Sequence, residues 1–238
     1  MLKIFRKLLI NRSFTSTVSY IIDNLVPPII RDNRYFMYPF YYLAFKGRNV
    51  KANMEFKAGI YTITNEDLEK IYSDYQTIGT ERTTDLNRGS VRRILKYIEN
   101  DTGTILDVGC GKGYMLNILH TKGYRVTGAD VFDKPAGFNF DYVKSNAENL
   151  PFEDKSFDIV ISTHTLEHIL NIKNAVNEMK RVARRLIIIV VPCQRFNYYT
   201  LDHHLHFFPK KQILERLLQI ENHTLEKVGG DWVFAGRV

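Results

Sequence analysis

Three glycines within five positions follow an aspartate at the end of an apolar run, in the stretch TILDVGCGKGYML that spans residues 104–116. Glycine is costly inside a regular element because it loses the most backbone freedom on folding. The spacing of Gly109, Gly111 and Gly113 is typical of a tight strand-to-helix turn against which a ligand lies close to bare backbone. It is neither the dinucleotide pattern GxGxxG nor a phosphate loop, since no GK[ST] follows.

Two acidic residues restrict the kind of ligand that this turn can bind. Asp107 precedes the glycines, where a carboxylate would repel a pyrophosphate and attract a cationic group. Asp130 ends the next apolar run, where an acid can accept hydrogen bonds from both hydroxyls of a ribose. A ribose without phosphates but with a cationic tail describes S-adenosylmethionine. The alternative for Asp130 is a cap on the following turn.

The elements that position these residues become regular from about residue 89. Strands are predicted at 104–108, 124–130, 141–146, 157–163 and 185–191, and helices at 90–99, from Gly113 to Gly123, at 166–183 and at 210–220. The connection at 131–140 is too short for a full helix, and the tail supplies two short strands about Gly229-Gly230. Such alternation predicts an α/β fold with a mostly parallel sheet covered by helices on both faces. Ligands of these sheets bind beyond the carboxyl ends of the strands.

Three segments resemble the class I S-adenosylmethionine-dependent methyltransferases, in particular their small-molecule group and the members that serve glycan and polysaccharide biosynthesis. They read ILDVGCGKG (105–113), VTGAD (126–130) and SNAENLPFEDKSFDIVISTHTLEHI (145–169). The resemblance covers roughly residues 90–238. It implies a Rossmann-like fold with a mostly parallel seven-stranded sheet, and S-adenosyl-L-methionine as the cofactor.

The resemblance also implies a set of cofactor-binding residues. Those near the methionine end are Asp107, Gly109, Cys110, Gly111 and Gly113, and those near the ribose are Asp130 and Val131. Those near the adenine are Asn146, Ala147 and Glu148, and those near the methyl group are Thr163 and His164. The family usually has Asp where this chain has Asn146. An amide carbonyl can still accept a hydrogen bond from the adenine amino group.

Several histidines follow the last two parallel strands. An acceptor hydroxyl benefits from a base, and an ordinary histidine pKa of about 6.5 suits that role. His164 and His204 are the candidate catalytic bases. The alternative is that these histidines only pack and fix their loops. Asp202, His203, His204 and His206 lie too close together on one loop to converge on an ion, so we expect no metal site.

A polar segment, residues 73–91, precedes the first core helix. In many related enzymes this segment folds over the cofactor as a lid. Tyr75, Arg82 and Arg88 are therefore expected to meet the methionine carboxylate or an anionic acceptor. The alternative is that they are surface residues of a connector.

Charge and composition divide the chain into a basic, aromatic-rich N-terminal extension, residues 1–88, which we expect to be helical, and a catalytic domain, residues 89–238. Residues 1–60 have a net charge of +7, which equals that of the whole chain, and they include seven aromatic residues from Tyr35 to Phe45. This combination is compatible with a solvated segment whose aromatics pack on the main domain, with peripheral membrane contact, or with nucleic acid. Residues 61–238 are neutral overall, so we expect no nucleic-acid partner.

The two cysteines, Cys110 and Cys193, are far apart and have no CxxC partner, which indicates a reducing cytoplasm. The apolar run Leu8–Ile10 is too short for a signal-peptide core, and no stretch is long enough to span a membrane. We therefore expect a cytoplasmic protein, with attachment at the inner membrane surface as an addition.

The leading hypothesis is a methyltransferase of the general class EC 2.1.1.- that O-methylates a small molecule, such as a sugar or a lipid-linked glycan. An isoprenoid quinone or another lipid is the alternative acceptor. RNA is a weaker candidate for the acceptor. The alternative outside the enzymes is a scaffold protein that binds the cofactor without turnover.

Overall fold

The computed structural model describes residues 21–22, 25–78, 83–99, 101–199 and 201–238, without the side chains of 74–78. Its contacts divide the chain into two compact units. One comprises residues 1–85 and 195–205, and the other comprises residues 86–194 and 206–238. The segment 195–205, which the sequence places in the catalytic domain, thus groups with the N-terminal residues.

Short helices build the first unit. They are α1 (Pro28–Arg31), α2 (Arg34–Ala44), α3 (Val50–Met54) and α4 (Asn65–Ile78), with a 3-10 turn at Phe56–Gly59. Asn33 begins α2, because its side-chain oxygen accepts hydrogen bonds from the backbone N–H groups of Tyr35 and Phe36 at 2.9 and 3.2 Å. The core of the unit consists of Met37, Tyr41, Phe45, Val50 and Met54. Among the described residues, no helix is both long and apolar enough to cross a bilayer.

Two buried cations of the first unit hold the segment 195–205. Arg31, 3% exposed, donates from Nη2 to the carbonyl of Phe196 at 2.7 Å. Lys57, 8% exposed, donates to the carbonyl of Asn197 and lies 4.5 Å from the centre of the Phe196 ring. Burial lowers the pKa of Lys57 to about 7. These two basic residues of the N-terminal segment are therefore buried inside the first unit.

The second unit is a seven-stranded sheet with helices. Its strands are β1 (Thr104–Val108), β2 (Arg125–Asp130), β3 (Asp141–Lys144), β4 (Phe157–Thr163), β5 (Ala183–Pro192), β6 (His223–Val228) and β7 (Asp231–Arg237). Its helices are α5 (Arg88–Ile98), α6 (Tyr114–Thr121), α7 (Ile172–Val182) and α8 (Lys211–Leu218). The strand order is β3-β2-β1-β4-β5-β7-β6, and β7 alone is antiparallel to both of its neighbours. The predicted mostly parallel seven-stranded sheet is confirmed.

Most predicted elements are present, and one boundary is wrong. The helix predicted at 166–183 begins only at Ile172, and residues 166–168 form a single 3-10 turn. Asn171 sets the later start, because its side chain accepts a hydrogen bond from the N–H of Asn174 at 3.3 Å. The connection at 131–140 contains no helix, as its length predicts.

Apolar side chains alternate between the two faces of the sheet and form two cores. Leu106, Val160 and Ile187 pack with α7 and α8 on one face. Ile105, Ile159 and Ile188 pack with α5 and α6 on the other face. Strands buried on both sides read as continuous apolar runs, as in RLIIIVV of β5.

One edge of the sheet collects the polar residues. In the parallel pairs, Asp107 of β1 is opposite Gly128, and Thr163 of β4 is opposite Val190 of β5. Because β7 runs the other way, its first residue, Asp231, is opposite Pro192 at the end of β5. The carboxyl ends of β1, β2, β4 and β5 and the start of β7 therefore lie at the same edge.

Candidate active site

The glycine loop after β1 is closed by protein side chains at two of its three glycines. Gly109 and Gly113 have φ angles of +72° and +67°, which favour glycine. A Cβ built on Gly109 would lie 2.3 Å from the side chain of Thr165, and one on Gly113 would lie 2.3 Å from the ring of Phe138. A Cβ on Gly111 would meet none of the described residues within 4 Å. The open backbone predicted for all three glycines is thus found at Gly111, and the other two make room for Thr165 and Phe138.

Asp130 is fixed at the end of β2 by backbone donors. Its Oδ2 accepts from the N–H of Gly111 at 2.8 Å, and its Oδ1 accepts from the N–H of Phe132 at 3.2 Å. The residue is 9% exposed, and burial raises its pKa although these hydrogen bonds oppose the rise. A carboxylate has about four acceptor sites, so Asp130 can still accept a hydrogen bond from a ligand hydroxyl.

Asp107 is a buried carboxyl group that lacks a full set of partners. It is 1% exposed, and its Oδ1 accepts no hydrogen bond within the described part of the chain. Burial, and then repulsion by Asp130, raise the pKa of Asp107 to about 8. An isolated buried acid is costly unless a cation or a donor compensates it. The position therefore fits a ligand with a positively charged or hydrogen-bond-donating end.

The loop after β3 is held by its own side chains. Asn146 Oδ1 accepts from the N–H of Glu148 at 2.9 Å. Glu148 Oε1 accepts from the N–H of Asn171 at 2.9 Å, just before α7. Ala147 between them is buried. The Asn146 carbonyl can accept one more donor, so its predicted contact with an adenine amino group stays open.

His164, directly after β4, lies between two carboxylates. Its Nδ1 is 3.3 Å from Oε1 of Glu167, and its Nε2 is 3.4 Å from Oδ2 of Asp231. Burial alone lowers the pKa of His164, but the interactions with Asp231 and Glu167 outweigh it and raise the pKa to about 10. At neutral pH the ring is an imidazolium whose two N–H groups face acids. This geometry argues against the predicted role of His164 as a base, because a base must be free to take up a proton.

The charged cluster around His164 extends to the start of α5. Asp231 Oδ2 accepts from Asn87 Nδ2 at 2.7 Å and from Ser90 Oγ at 3.0 Å. Asn87 also begins α5, since its Oδ1 accepts from the N–H of Ser90 at 2.9 Å. Sequence reasoning missed Asp231 and Asn87. The signal available for Asp231 was an acid directly after a diglycine turn, at the edge where the antiparallel strand begins.

The remaining predicted site residues are placed as follows. Thr163 is the last residue of β4, and Val131 follows β2; both are half-buried. Cys110 is buried, and its pKa is raised by that burial. His204 is a buried residue of the first unit, so its predicted role as a base stays a prediction. Arg82 and the side chain of Tyr75 lie outside the described residues.

The neighbouring His203 is a packing residue. It is fully buried, and its ring lies 4.7 Å from the ring of Phe56 and 5.6 Å from that of Phe45, measured between centres. Burial lowers its pKa to about 4, so the ring is neutral at physiological pH.

Comparison with known proteins agrees with this architecture. Residues 106–190, from β1 into β5, match the model of a family described as a methyltransferase domain. A ubiquinone biosynthesis O-methyltransferase of Saccharophagus degradans is 36% identical over 76 residues, which cover 27% of this chain and 32% of that protein. A phthiotriol/phenolphthiotriol dimycocerosates methyltransferase 1 of Mycobacterium ulcerans is 32% identical over 106 residues, 39% of this chain and 38% of that protein. The chain thus spans about two fifths or less of the length of these two relatives.

Solved structures share the fold. A 1,6-didemethyltoxoflavin-N1-methyltransferase of Burkholderia thailandensis, solved with S-adenosylhomocysteine, aligns with a TM-score of 0.53 at 17% identity, over 82% of this chain and 90% of that chain. A SAM-dependent methyltransferase of Thermotoga maritima aligns with a TM-score of 0.54 at 15% identity, over 72% and 97%. The predicted Rossmann-like fold is confirmed, and the match to the methyltransferase domain family lies within its sheet, at residues 106–190.

Proposed function

We propose that the chain is an S-adenosylmethionine-dependent methyltransferase that acts on a small-molecule acceptor. The observation that carries the proposal is the buried Asp107 carboxyl group, incompletely partnered, beside the open backbone of Gly111 and the fixed carboxylate of Asp130. A nucleoside with a cationic tail supplies both a positive charge for Asp107 and two hydroxyl groups for Asp130. These residues therefore fit the cofactor.

The chain's own residues would contribute chiefly by positioning. When bound, S-adenosylmethionine supplies a sulfonium-activated methyl group for direct displacement by the acceptor. Asp107 would hold the cationic tail and Asp130 the ribose, and a fixed orientation is worth several kcal/mol of the barrier. His164 is protonated at neutral pH, so any base for a hydroxyl acceptor is another group. His204 remains our candidate for that base.

We propose that the acceptor is a sugar or a lipid-linked glycan, and that the transfer is to oxygen. Supporting features are the resemblance of QRFNYYTLDHHLHFF (194–208) to stretches of surface-polysaccharide enzymes, and the exposed rings of Phe196 and Tyr198 in the first unit. Such rings offer apolar faces to a sugar ring or a lipid. A quinone or another lipid is the second candidate, favoured by the names of the Saccharophagus degradans and Mycobacterium ulcerans relatives.

The test of function is product identification. The protein is incubated with methyl-labelled S-adenosylmethionine and either polysaccharide or membrane-lipid extracts, and the labelled product is identified. Label in a glycan supports the first candidate, and label in a quinone supports the second. Cofactor binding without label in any extract would contradict the proposed turnover.

His204 is tested separately. A His204→Ala variant should lose turnover while its affinity for S-adenosylmethionine, measured by calorimetry, stays within about twofold. His203→Ala, at a buried neighbour whose ring packs against Phe56 and Phe45, is the matched control, and it should reduce stability instead. Equal losses of turnover and cofactor affinity in His204→Ala would make His204 structural.

We also propose that the N-terminal segment, residues 1–60, brings the protein to the inner surface of the cytoplasmic membrane. The support is the excess of basic residues in that segment, beside its aromatic run. Residues 1–20 lie outside the described part of the chain.

A further inference from the structure

Helix α2 of the first unit presents an aromatic face to solvent. Tyr35 is 86% exposed, Tyr38 is 49% exposed and Tyr42 is 53% exposed. Their spacing of three and four residues places them on one side of the helix, opposite the buried Met37 and Tyr41. Helical geometry places Pro39 and Leu43 on the same side. The solvent side of α2 is thus free of charged side chains from Tyr35 to Leu43, whereas an ordinary surface helix is polar there.

The aromatic face is ordered rather than loose. The rings of Tyr38 and Tyr42 stack with their centres 6.3 Å apart and their planes at 30°. Asn33 fixes the first turn of the helix through two hydrogen bonds. The opposite side of α2 is anchored in the core of the unit. An exposed apolar surface on a helix that is anchored in a core is typical of a binding site for a partner.

Positive charge follows the aromatic face directly in the chain. Lys46, Arg48 and Lys51 are exposed, and no acidic side chain lies within ion-pair distance of them among the described residues. Arg34, at the other end of α2, is paired with Glu55 at 3.3 Å. Tyrosine rings with a polar end, next to unpaired cations, match the boundary between the headgroups and the acyl chains of an anionic bilayer.

We propose that the Tyr35, Tyr38 and Tyr42 face of α2, together with Lys46, Arg48 and Lys51, is a docking surface for an anionic lipid bilayer. The tyrosine rings enter the interfacial layer, and the cations contact the lipid phosphates. This inference deepens the proposed membrane contact and rests on it, but it does not depend on methyl transfer.

The test is sedimentation of the full chain with vesicles of phosphatidylcholine alone, or of equal parts phosphatidylcholine and phosphatidylglycerol. Wild type should pellet with the anionic vesicles, less so at high salt, and should remain in solution with the neutral vesicles. A Lys46→Gln, Arg48→Gln, Lys51→Gln variant should bind the anionic vesicles about 100-fold more weakly, since each cation near such a surface contributes about a fivefold factor. A Tyr35→Ser, Tyr38→Ser, Tyr42→Ser variant should lose at least about tenfold.

Matched controls separate this surface from general effects. The cations Arg92, Lys96 and Lys122 are exposed on the second unit, so their triple Gln variant removes the same charge elsewhere and should bind as wild type. Tyr61→Ser removes a tyrosine that is 96% exposed but lies outside α2, and should also bind as wild type. S-adenosylmethionine affinity is measured in parallel, and unchanged affinity in every variant shows that the second unit is intact.

Three outcomes would overturn the inference. One is wild type that does not pellet with the anionic vesicles. Another is a tyrosine variant that pellets as wild type does. Loss of vesicle binding on deletion of residues 1–20 would then place the membrane contact in that segment. The third is a wild-type dimer that becomes monomeric in the tyrosine variant and does not bind vesicles, since the face would then join two copies of the chain. If the tyrosine variant fails to fold, the charge variant and its matched control decide. Failure of wild type to bind the cofactor would contradict the proposed function, but the vesicle sedimentation would still test the docking surface.

Discussion

Replacing Asp231 with asparagine tests the charged cluster at the edge of the sheet. In the folded protein Asp231 and Glu167 raise the pKa of His164 to about 10, whereas in the unfolded chain it is about 6.5. Below pH 6.5 both states are protonated and the full stabilisation is present. Between pH 6.5 and 10 the folded state holds one more proton, so the free energy of unfolding falls by about 1.4 kcal/mol per pH unit. Above pH 10 the contribution is gone.

The magnitude follows from the two pKa values. At pH 7 the proton on His164 contributes about 4 kcal/mol, and at pH 9 about 1 kcal/mol, so wild type should lose about 3 kcal/mol over this interval from His164 alone. In Asp231→Asn the pKa of His164 should fall and that loss should shrink to about half or less. At pH 7 the variant should be about 2–4 kcal/mol less stable, because a buried charge loses a partner. Lys57 and Asp107 also titrate near this range, but they do so in both proteins and cancel in the comparison.

The assay combines denaturant unfolding at pH 7 and pH 9 with NMR titration of the histidine ring protons, where His164→Gln assigns the resonance. Asp133→Asn is the matched control. Its side chain is 90% exposed and pairs with Lys144 at 2.9 Å, so the change should cost at most about 0.5 kcal/mol. A wild-type His164 that titrates near 6.5 would refute the reasoning. So would an Asp231→Asn variant with the same pH dependence as wild type.

Further predictions concern the glycine loop and its two acids. Asp130→Ala should weaken S-adenosylmethionine binding by about 1–3 kcal/mol in calorimetry, through lost charge-assisted hydrogen bonds, and unchanged binding would remove Asp130 from the ribose. Affinity should rise by up to about tenfold from pH 7 to pH 9, because the cationic cofactor favours the ionised form of Asp107, whose pKa is about 8; Asp107→Asn should abolish this dependence, and a flat wild-type profile would contradict it. Gly113→Ala should destabilise the fold by about 2–4 kcal/mol, since its φ of +67° and the ring of Phe138 both oppose a Cβ. Gly59→Ala, with open space and an ordinary φ, should change stability by at most about 1 kcal/mol; equal effects of the two substitutions would refute the argument.

The sheet and most of its helices could be predicted from the sequence because their signals are local. Apolar runs such as RLIIIVV and the glycine loop after TILDV specify buried strands and a strand-to-helix turn without reference to distant residues. The start of α7 was missed because the apolar spacing of a helix continues through LEHIL, while the cap at Asn171 that sets the boundary is a single polar contact.

The positions of Asp107, Asp130 and His164 at or next to the ends of strands could be predicted from the sequence, and their roles stay predictions. The charge state of His164 could not be predicted, because it depends on Asp231, which is distant in the sequence and lies at the start of the antiparallel strand β7. The burial of Arg31 and Lys57 was hidden for the same reason, since their acceptors are the backbone carbonyls of Phe196 and Asn197. A count of basic residues in the sequence does not distinguish buried ones from exposed ones.

The central claim is that a nucleoside with a cationic tail binds along the loop at Gly111, between Asp107 and Asp130. A crystal structure of the full chain grown with excess S-adenosylmethionine tests it most directly. We expect the ribose hydroxyls on the carboxylate of Asp130 and the positively charged methionine end on the side of Asp107. A cofactor bound elsewhere, or an empty loop with Asp107 still incompletely partnered, would contradict it.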